Sequence, residues 1–310
     1  MKYLYGPVPS RRLGRSLGID PFETKTCTHN CVYCQLGSAP TVSSAEWVEG
    51  VPAEAVKTEL EEFFSAGGGA DFVTFSGSGE PTLWAHTGEI IGFIRKKFPH
   101  LKIAVITNSS TLWRPEVREA IMPADVVVPT VAAADEATYL KLHRPHHDAD
   151  FARYVEGIKE FARQFRGEIW AEVMLVAGVN DGEEHILKLR ALLDEISPTY
   201  IDLNTPVRPP SEEWVRPPSE AAVRKICTML GSKCRIVGKF HREGTESVAE
   251  LAELATRILE LLRRRPEQPE SIAESFGIPV EKVNEALEAL VAKKLAVKLP
   301  SGFFKLAHND

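Results

Sequence analysis

From about residue 70 onward the chain alternates short β-branched or apolar runs with amphipathic stretches, and this alternation constrains the fold more than any single residue does. The apolar runs are 71–76, 102–107, 125–131, 169–176, 200–206 and 234–240; helical candidates such as 52–64, 151–165 and 219–230 lie between them. An earlier run, 16–22, adds one more strand. A repeated βα unit builds a parallel sheet, because each crossover helix returns the chain to the same strand direction. The class is therefore α/β. Six or seven such strands fit a partial (β/α)6-type TIM barrel better than a short doubly wound sheet. In either case chemistry belongs where strands end and helices begin.

After Gly244 the texture changes. Val248, Leu251, Leu254, Ile258, Leu261 and Leu262 recur at helical spacing, and the run 263–265 with Pro266 ends that helix. A short helix over 269–276, a turn at 277–279, a third helical stripe (Val280, Val283, Leu287, Leu290, Val291) and two strands, 295–299 and 303–306, complete the chain. Two domains are expected, 1–244 and 245–310, the second with the layout of a winged helix. Residues 247–310 carry nine Lys/Arg against ten Asp/Glu, and the third helix bears Glu281, Glu285 and Glu288 against Lys282. Duplex affinity comes largely from phosphate neutralisation, so this charge balance disfavours duplex DNA and favours a peptide- or protein-docking or substrate-presenting wing over RNA docking, with a mere packing appendage as the alternative.

Composition narrows the class further. With 310 residues, a hydrophobic fraction of 44%, a charged fraction of 26% and a net charge of −6, the chain reads as an ordinary soluble enzyme. No apolar stretch reaches the roughly 18 to 20 residues of a membrane span, and the first nine residues hold no long apolar region ahead of a cleavage site. A cytoplasmic location, with no membrane partner, is the expectation.

Three of the five cysteines, Cys27, Cys31 and Cys34, stand as Cys-x3-Cys-x2-Cys just after the first expected parallel strand. Eight residues are too few for a disulfide framework and suit a metal, since thiolates are soft ligands for zinc or for an iron–sulfur cluster. Structural zinc wants a closed set of four, and His29 lies inside the loop, where it would have to turn back sharply. A cubane held by three cysteines instead leaves one iron open. Cys227, on a helix, and Cys234, at the start of a strand, read as buried structural thiols.

This spacing, with the aromatic Tyr33 immediately before the last cysteine, resembles the signature of the radical S-adenosylmethionine superfamily. The resemblance implies a 4Fe–4S cluster on Cys27, Cys31 and Cys34, with S-adenosylmethionine chelating the open iron. It implies reductive cleavage of the sulfonium, commonly to a 5′-deoxyadenosyl radical, and an electron donor such as flavodoxin or ferredoxin. The strand and turn at 71–82 lack the spacing of a dinucleotide loop and the lysine of a P-loop. They resemble instead the superfamily's Gly-x-Gly-Glu-Pro turn, which implies that Gly77, Gly79 and Glu80 hold the methionine ammonium. Asn108 and Thr130, polar groups at consecutive strand C-termini, are well placed for ribose hydroxyls and the cofactor carboxylate, and Tyr33, within the cysteine signature, is counted with them in the cofactor site. The stretch 168–181 resembles the strand that lies near adenine, with Asn180 and Asp181 opening the following helix.

Residues 5–18 and 204–210 further resemble wyosine-synthase-like iron–sulfur oxidoreductases, although the chain lacks the additional N-terminal cysteines of the archaeal wyosine synthases. Arg11, Arg12, Arg15, Arg144 and Arg208 could converge on a carboxylate or phosphate, or pair with carboxylates. His143, His146 and His147 read as solvated imidazoles of a polar loop. Together these residues lead to an enzyme of the radical S-adenosylmethionine type acting on an unidentified substrate. Aminocarboxypropyl transfer and a redox-sensing iron–sulfur binding protein are the alternatives, and the sequence names no catalytic side chain.

Overall fold

The computed structural model describes residues 1–10, 12–208, 210–237, 248–262, 267–276 and 278–307. It divides into two compact units, Met1–Lys239 and Phe240–Asp310. In the first unit the elements run β1 (Leu4–Ser10), β2 (Gly14–Ile19), α1 (Ala53–Ser65), β3 (Phe72–Phe75), α2 (Thr87–Lys97), β4 (Lys102–Thr107), α3 (Pro115–Ile121) and β5 (Val126–Pro129). They continue with α4 (Glu136–His143), α5 (Phe151–Gln164), β6 (Glu168–Met174), α6 (Glu183–Ile196), β7 (Tyr200–Asn204), α7 (Glu220–Leu230) and β8 (Cys234–Ile236).

The strands form one eight-stranded sheet in sequence order, with β1 antiparallel to β2 and every later neighbour parallel. Seven parallel strands thus stand where a (β/α)6-type barrel was expected. The sheet also carries an antiparallel strand that the pattern did not announce. Pro7 and Pro9 hide β1 from a propensity reading, because proline cannot donate to a ladder. At the edge of a sheet, beside β2 alone, that loss is tolerated. Both faces of β3 and β5 are buried, as a parallel sheet covered on each side requires. Phe72, Ala104, Val126, Val128 and Trp170 meet Leu13 in one cluster, and each fully buried aliphatic side chain contributes about 1.5–3 kcal/mol.

Helix starts follow local chemistry. Asp135 caps α4 by accepting from Thr138 N at 2.9 Å, Asp150 caps α5 through Arg153 N at 2.8 Å, and Ser219 caps α7 through Ala222 N. α6 starts differently: Gly182 is its cap residue and supplies no side-chain bond. Asn180 and Asp181, expected to open it, brace the turn after β6 instead. Asn180 accepts from Val176 N and donates to the carbonyls of Ala132 and Met174, and Asp181 accepts from Gly178 N.

The second unit contains α8 (Val248–Leu262), α9 (Pro269–Phe276), α10 (Val280–Ala292) and an antiparallel pair, β9 (Ala296–Lys298) with β10 (Phe304–Leu306). Its core joins Leu254, Ile258 and Leu262 to Ile272, Val283, Leu287, Leu290 and Phe304. Glu267 exchanges two backbone hydrogen bonds with Phe304, at 3.0 and 2.8 Å. The expected boundary after Gly244, Arg11 and the 263–266 helix stop lie outside the described residues. Among the described residues no helix is long and apolar enough to cross a membrane.

Candidate functional site

The loop after β2 carries all three clustered cysteines, and segments from three other parts of the first unit fix it. Thr26 forms a parallel bridge with Gly79: Thr26 N donates to Ser78 O at 2.9 Å, and Glu80 N donates to Thr26 O at 3.0 Å. The chain just past α4 takes the next stretch, with Asn30 N on Arg144 O at 3.1 Å and Val32 N on Leu142 O at 3.0 Å. Beyond β7, Ser211 Oγ donates to Cys31 O at 2.9 Å and Glu212 N to Val32 O at 3.2 Å. Val32 is fully buried against Ala132, Leu142, Val176 and Val215. A loop without regular structure is thereby held, its backbone groups satisfied by neighbouring chain ends.

Gly77 and Gly79 are required by geometry. Gly77 has φ +119°, and a Cβ there would lie 2.4 Å from the Asp20 carboxyl; at Gly79 a Cβ would lie 1.9 Å from Thr26 O. Asp20 secures the turn by accepting from Ser78 N and Ser78 Oγ. Glu80 is buried, and its carboxyl accepts from Thr82 N and Oγ1, from Thr107 Oγ1 at 2.7 Å and from Asn108 N at 2.5 Å. Burial pushes this carboxyl above its ordinary range against the pull of those donors. Glu80 thus bolts the turn to the end of β4.

Asn108, at that strand end, donates its amide to Cys27 Sγ at 3.3 Å and to Thr28 Oγ1 at 2.9 Å. Thr130, just past β5, donates its backbone N–H to Thr107 O, and its carbonyl accepts from Ser109 Oγ and Tyr154 Oη. Tyr33 brings its hydroxyl to 3.4 Å from His143 Nδ1. The structure therefore gathers Asn108, Glu80 and the glycine turn at Cys27, and Tyr33 at Cys31.

Burial, with Glu80 nearby, pushes the Cys27 thiol up to about 12; burial and the charges of Cys27 and Cys34 push Cys31 higher still. Such thiols stay protonated when free. A multivalent cation reverses this, since coordination displaces the proton. Three soft, half-buried donors on one short loop fit an iron–sulfur cluster with an open iron. A second set shares Cys31: ligand atoms of His29, Cys31 and His143 lie within 4.8 Å of one another. His29 Nε2 is already 2.9 Å from Tyr139 Oη, and three ligands leave zinc one short.

Arg12 and Arg144 follow the second of the two expectations set for the arginines, and one histidine departs from its own. The described arginines do not converge: Arg12 pairs with Glu172 at 2.8 Å and Asp202 at 3.5 Å, Arg144 with Glu212, Arg208 Nη1 donates to Gln35, and Arg15 lies against Gly69. Carboxylate pairing is the outcome for Arg12 and Arg144. His143 is not a solvated imidazole; it is fully buried, with Nδ1 3.3 Å from Cys31 Sγ. The signal was present, for Tyr139, Leu142 and His143 fall at i, i+3 and i+4, one helix face.

A family model described as Radical SAM superfamily matches residues 24–190, spanning the cysteine loop, the glycine turn and β3 to β6. The chain belongs to the radical SAM superfamily. It is 34% identical to a UPF0026 protein of Methanocaldococcus jannaschii, covering 92% of this chain and 91% of that one. It is 32% identical to a GTPase Obg of Brachyspira hyodysenteriae over 99% of this chain, but spans only 45% of that protein's length. A radical SAM methyltransferase from Sphaerobacter thermophilus (TM-score 0.54, 14% identity, 73% of this chain and 67% of that one) has the same fold. So has Streptococcus suis SuiB bound to S-adenosylmethionine (TM-score 0.53, 14% identity, 71% and 49%). Membership implies S-adenosylmethionine-dependent radical chemistry, and with it a 4Fe–4S cluster, which the donor set fits.

Proposed function

We propose that this radical SAM enzyme holds a 4Fe–4S cluster on Cys27, Cys31 and Cys34 and cleaves S-adenosylmethionine reductively to begin radical chemistry on a substrate yet to be identified. The observation that carries this reading is three half-buried thiols on one loop, clamped beside the glycine turn that the superfamily uses for its cofactor. When bound, the cluster supplies one electron to the sulfonium.

The chain's own residues then hold and orient. Gly77 and Gly79 keep the turn free of side chains, so that a ligand ammonium can approach the backbone. Glu80 supplies negative charge beside it while fixing Asn108 and Thr107. Asn108 holds Cys27 in place; Asn108 and Thr130, at consecutive strand ends, would face the cofactor's ribose and carboxylate, and Tyr33 stands beside His143 at the cysteine loop. A flavodoxin- or ferredoxin-type protein is the proposed electron donor.

We read the second unit as winged-helix-like, from its three helices and antiparallel hairpin. Exposed Leu295 and Val297 on the hairpin side and the acidic α10 favour peptide or protein docking, with RNA behind and duplex DNA disfavoured.

The test is anaerobic reconstitution, reduction and addition of S-adenosylmethionine, with small-molecule products read by mass spectrometry. The expected product is 5′-deoxyadenosine from the native protein and none above background from Cys31→Ala. 5′-Methylthioadenosine would replace this reading with aminocarboxypropyl transfer. An intact cofactor beside a full cluster would replace it with a redox-sensing binding protein.

A further inference from the structure

The cysteine loop and the end of α4 are joined like two short strands. Asn30 N and Val32 N, on either side of Cys31, donate to Arg144 O and Leu142 O, on either side of His143. The two residues between the bonds therefore face one another, and His143 Nδ1 lies 3.3 Å from Cys31 Sγ and 3.4 Å from Tyr33 Oη. His143 cannot drift, for its ring stacks on His29 at 5.1 Å and packs edge-on against Tyr33 at 6.0 Å. His29 is itself held by Tyr139 Oη.

The tautomer follows from the surroundings. His143 Nε2 is buried with no hydrogen-bond partner, whereas both nearby acceptors sit at Nδ1. A buried N–H left unmet costs about 1–3 kcal/mol, so the single proton of the neutral ring belongs on Nδ1 and the lone pair on Nε2.

We infer that His143 is a positioning residue that donates Nδ1–H to the Cys31 sulfur and thereby sets how readily the cluster accepts its electron. This rests on the cluster assignment made above. One electron enters from an external donor, no protein bond breaks, and negative charge on the cluster and its thiolates rises. A hydrogen bond to a ligand sulfur strengthens as that charge grows, so it favours the reduced form and raises the potential.

The test is redox titration of the reconstituted full chain followed by electron paramagnetic resonance. His143→Leu fills the space without a donor. His143→Asn puts an amide nitrogen near the place of Nδ1. The expected result is about a tenfold fall in the ratio of reduced to oxidised cluster at fixed poise in the Leu variant, ~59 mV for a one-electron couple, with most of it recovered in the Asn variant. Equal potentials in all three proteins overturn the inference and leave His143 a packing residue. Should the Leu variant fail to fold, the native protein labelled with 15N-histidine decides: a nitrogen hyperfine coupling to the reduced cluster supports the inference, and its absence overturns it. A native protein that holds no cluster at all would overturn the functional reading itself, which iron and sulfide counts distinguish from failure of this inference alone.

Discussion

Two groups of buried polar side chains in the first unit are built on opposite principles. Around Asp202, which is fully buried, Arg12 meets both Glu172 and Asp202, Arg235 Nε lies 2.5 Å from Asp202 Oδ1, and Asn204 donates to Glu172. The Arg235 guanidinium also stacks over Tyr200 at 4.0 Å and Trp170 at 4.6 Å. Every charge there has its opposite. Around Cys31, by contrast, burial pushes the Cys27 and Cys31 thiols far above their ordinary range, and His29 Nδ1 and His143 Nε2 have no hydrogen-bond partner. Self-satisfied charges hold three strands and the β1–β2 turn together. The thiols have one weak donor each, from Asn108 and His143, and no opposite charge, so they stay open to a metal. Burial alone does not mark a site; buried groups that complete no charge pair among themselves do.

The largest effect that could break this contrast is on chemistry. Cys31→Ala should lose the cluster's absorption and all cofactor cleavage, while its chemical unfolding shifts by no more than about 1–2 kcal/mol, a typical single-residue change. Retained cleavage would place the function elsewhere. Next comes the ion-pair group. Arg12→Ala leaves Glu172 and Asp202 facing each other, and removing one partner of a buried pair costs about 3–5 kcal/mol, read by urea unfolding of the apo-protein. A cost below about 1 kcal/mol would show that the network is no more than surface pairing.

Smaller effects sharpen the boundary between the two groups. Gly79→Ala drives a Cβ into Thr26 O, next to Cys27; overpacking of this kind costs about 1–3 kcal/mol, and iron retention should fall with it. The smallest effect is at β1, where the backbone N–H groups of Lys2, Tyr3 and Leu4 converge on Glu59. Burial opposes its ionisation, but these three donors outweigh it and hold the carboxyl below the usual 4.5. A depressed carboxylate stabilises fully above 4.5 and loses that contribution as pH falls through the folded value. Thermal unfolding of Glu59→Gln should therefore differ from the native protein near neutral pH and converge with it in acid.

Much of this was legible in the sequence. The parallel strands, the helices over 151–165 and 219–230, the cysteine loop and the glycine turn are all local or periodic signals. What escaped depends on contacts between distant parts of the chain. β1 exists because β2 offers an edge that tolerates Pro7 and Pro9. His143 becomes a neighbour of Cys31 because the end of α4 pairs with the loop, 112 residues away in sequence. Arg12 finds Glu172 only once β6 and β7 stand side by side. Spacing reveals which residues share an element, and the fold decides which elements share a site.

The central claim is that Cys27, Cys31 and Cys34 hold an open cluster. It is tested most directly by counting iron and sulfide in the anaerobically reconstituted full chain and recording the reduced cluster's electron paramagnetic resonance with and without S-adenosylmethionine. The account predicts about four iron and about four sulfide per chain and a spectrum displaced by the cofactor, as an iron without a protein ligand requires. Zinc without visible absorption, or a cluster whose spectrum the cofactor leaves unmoved, would contradict it.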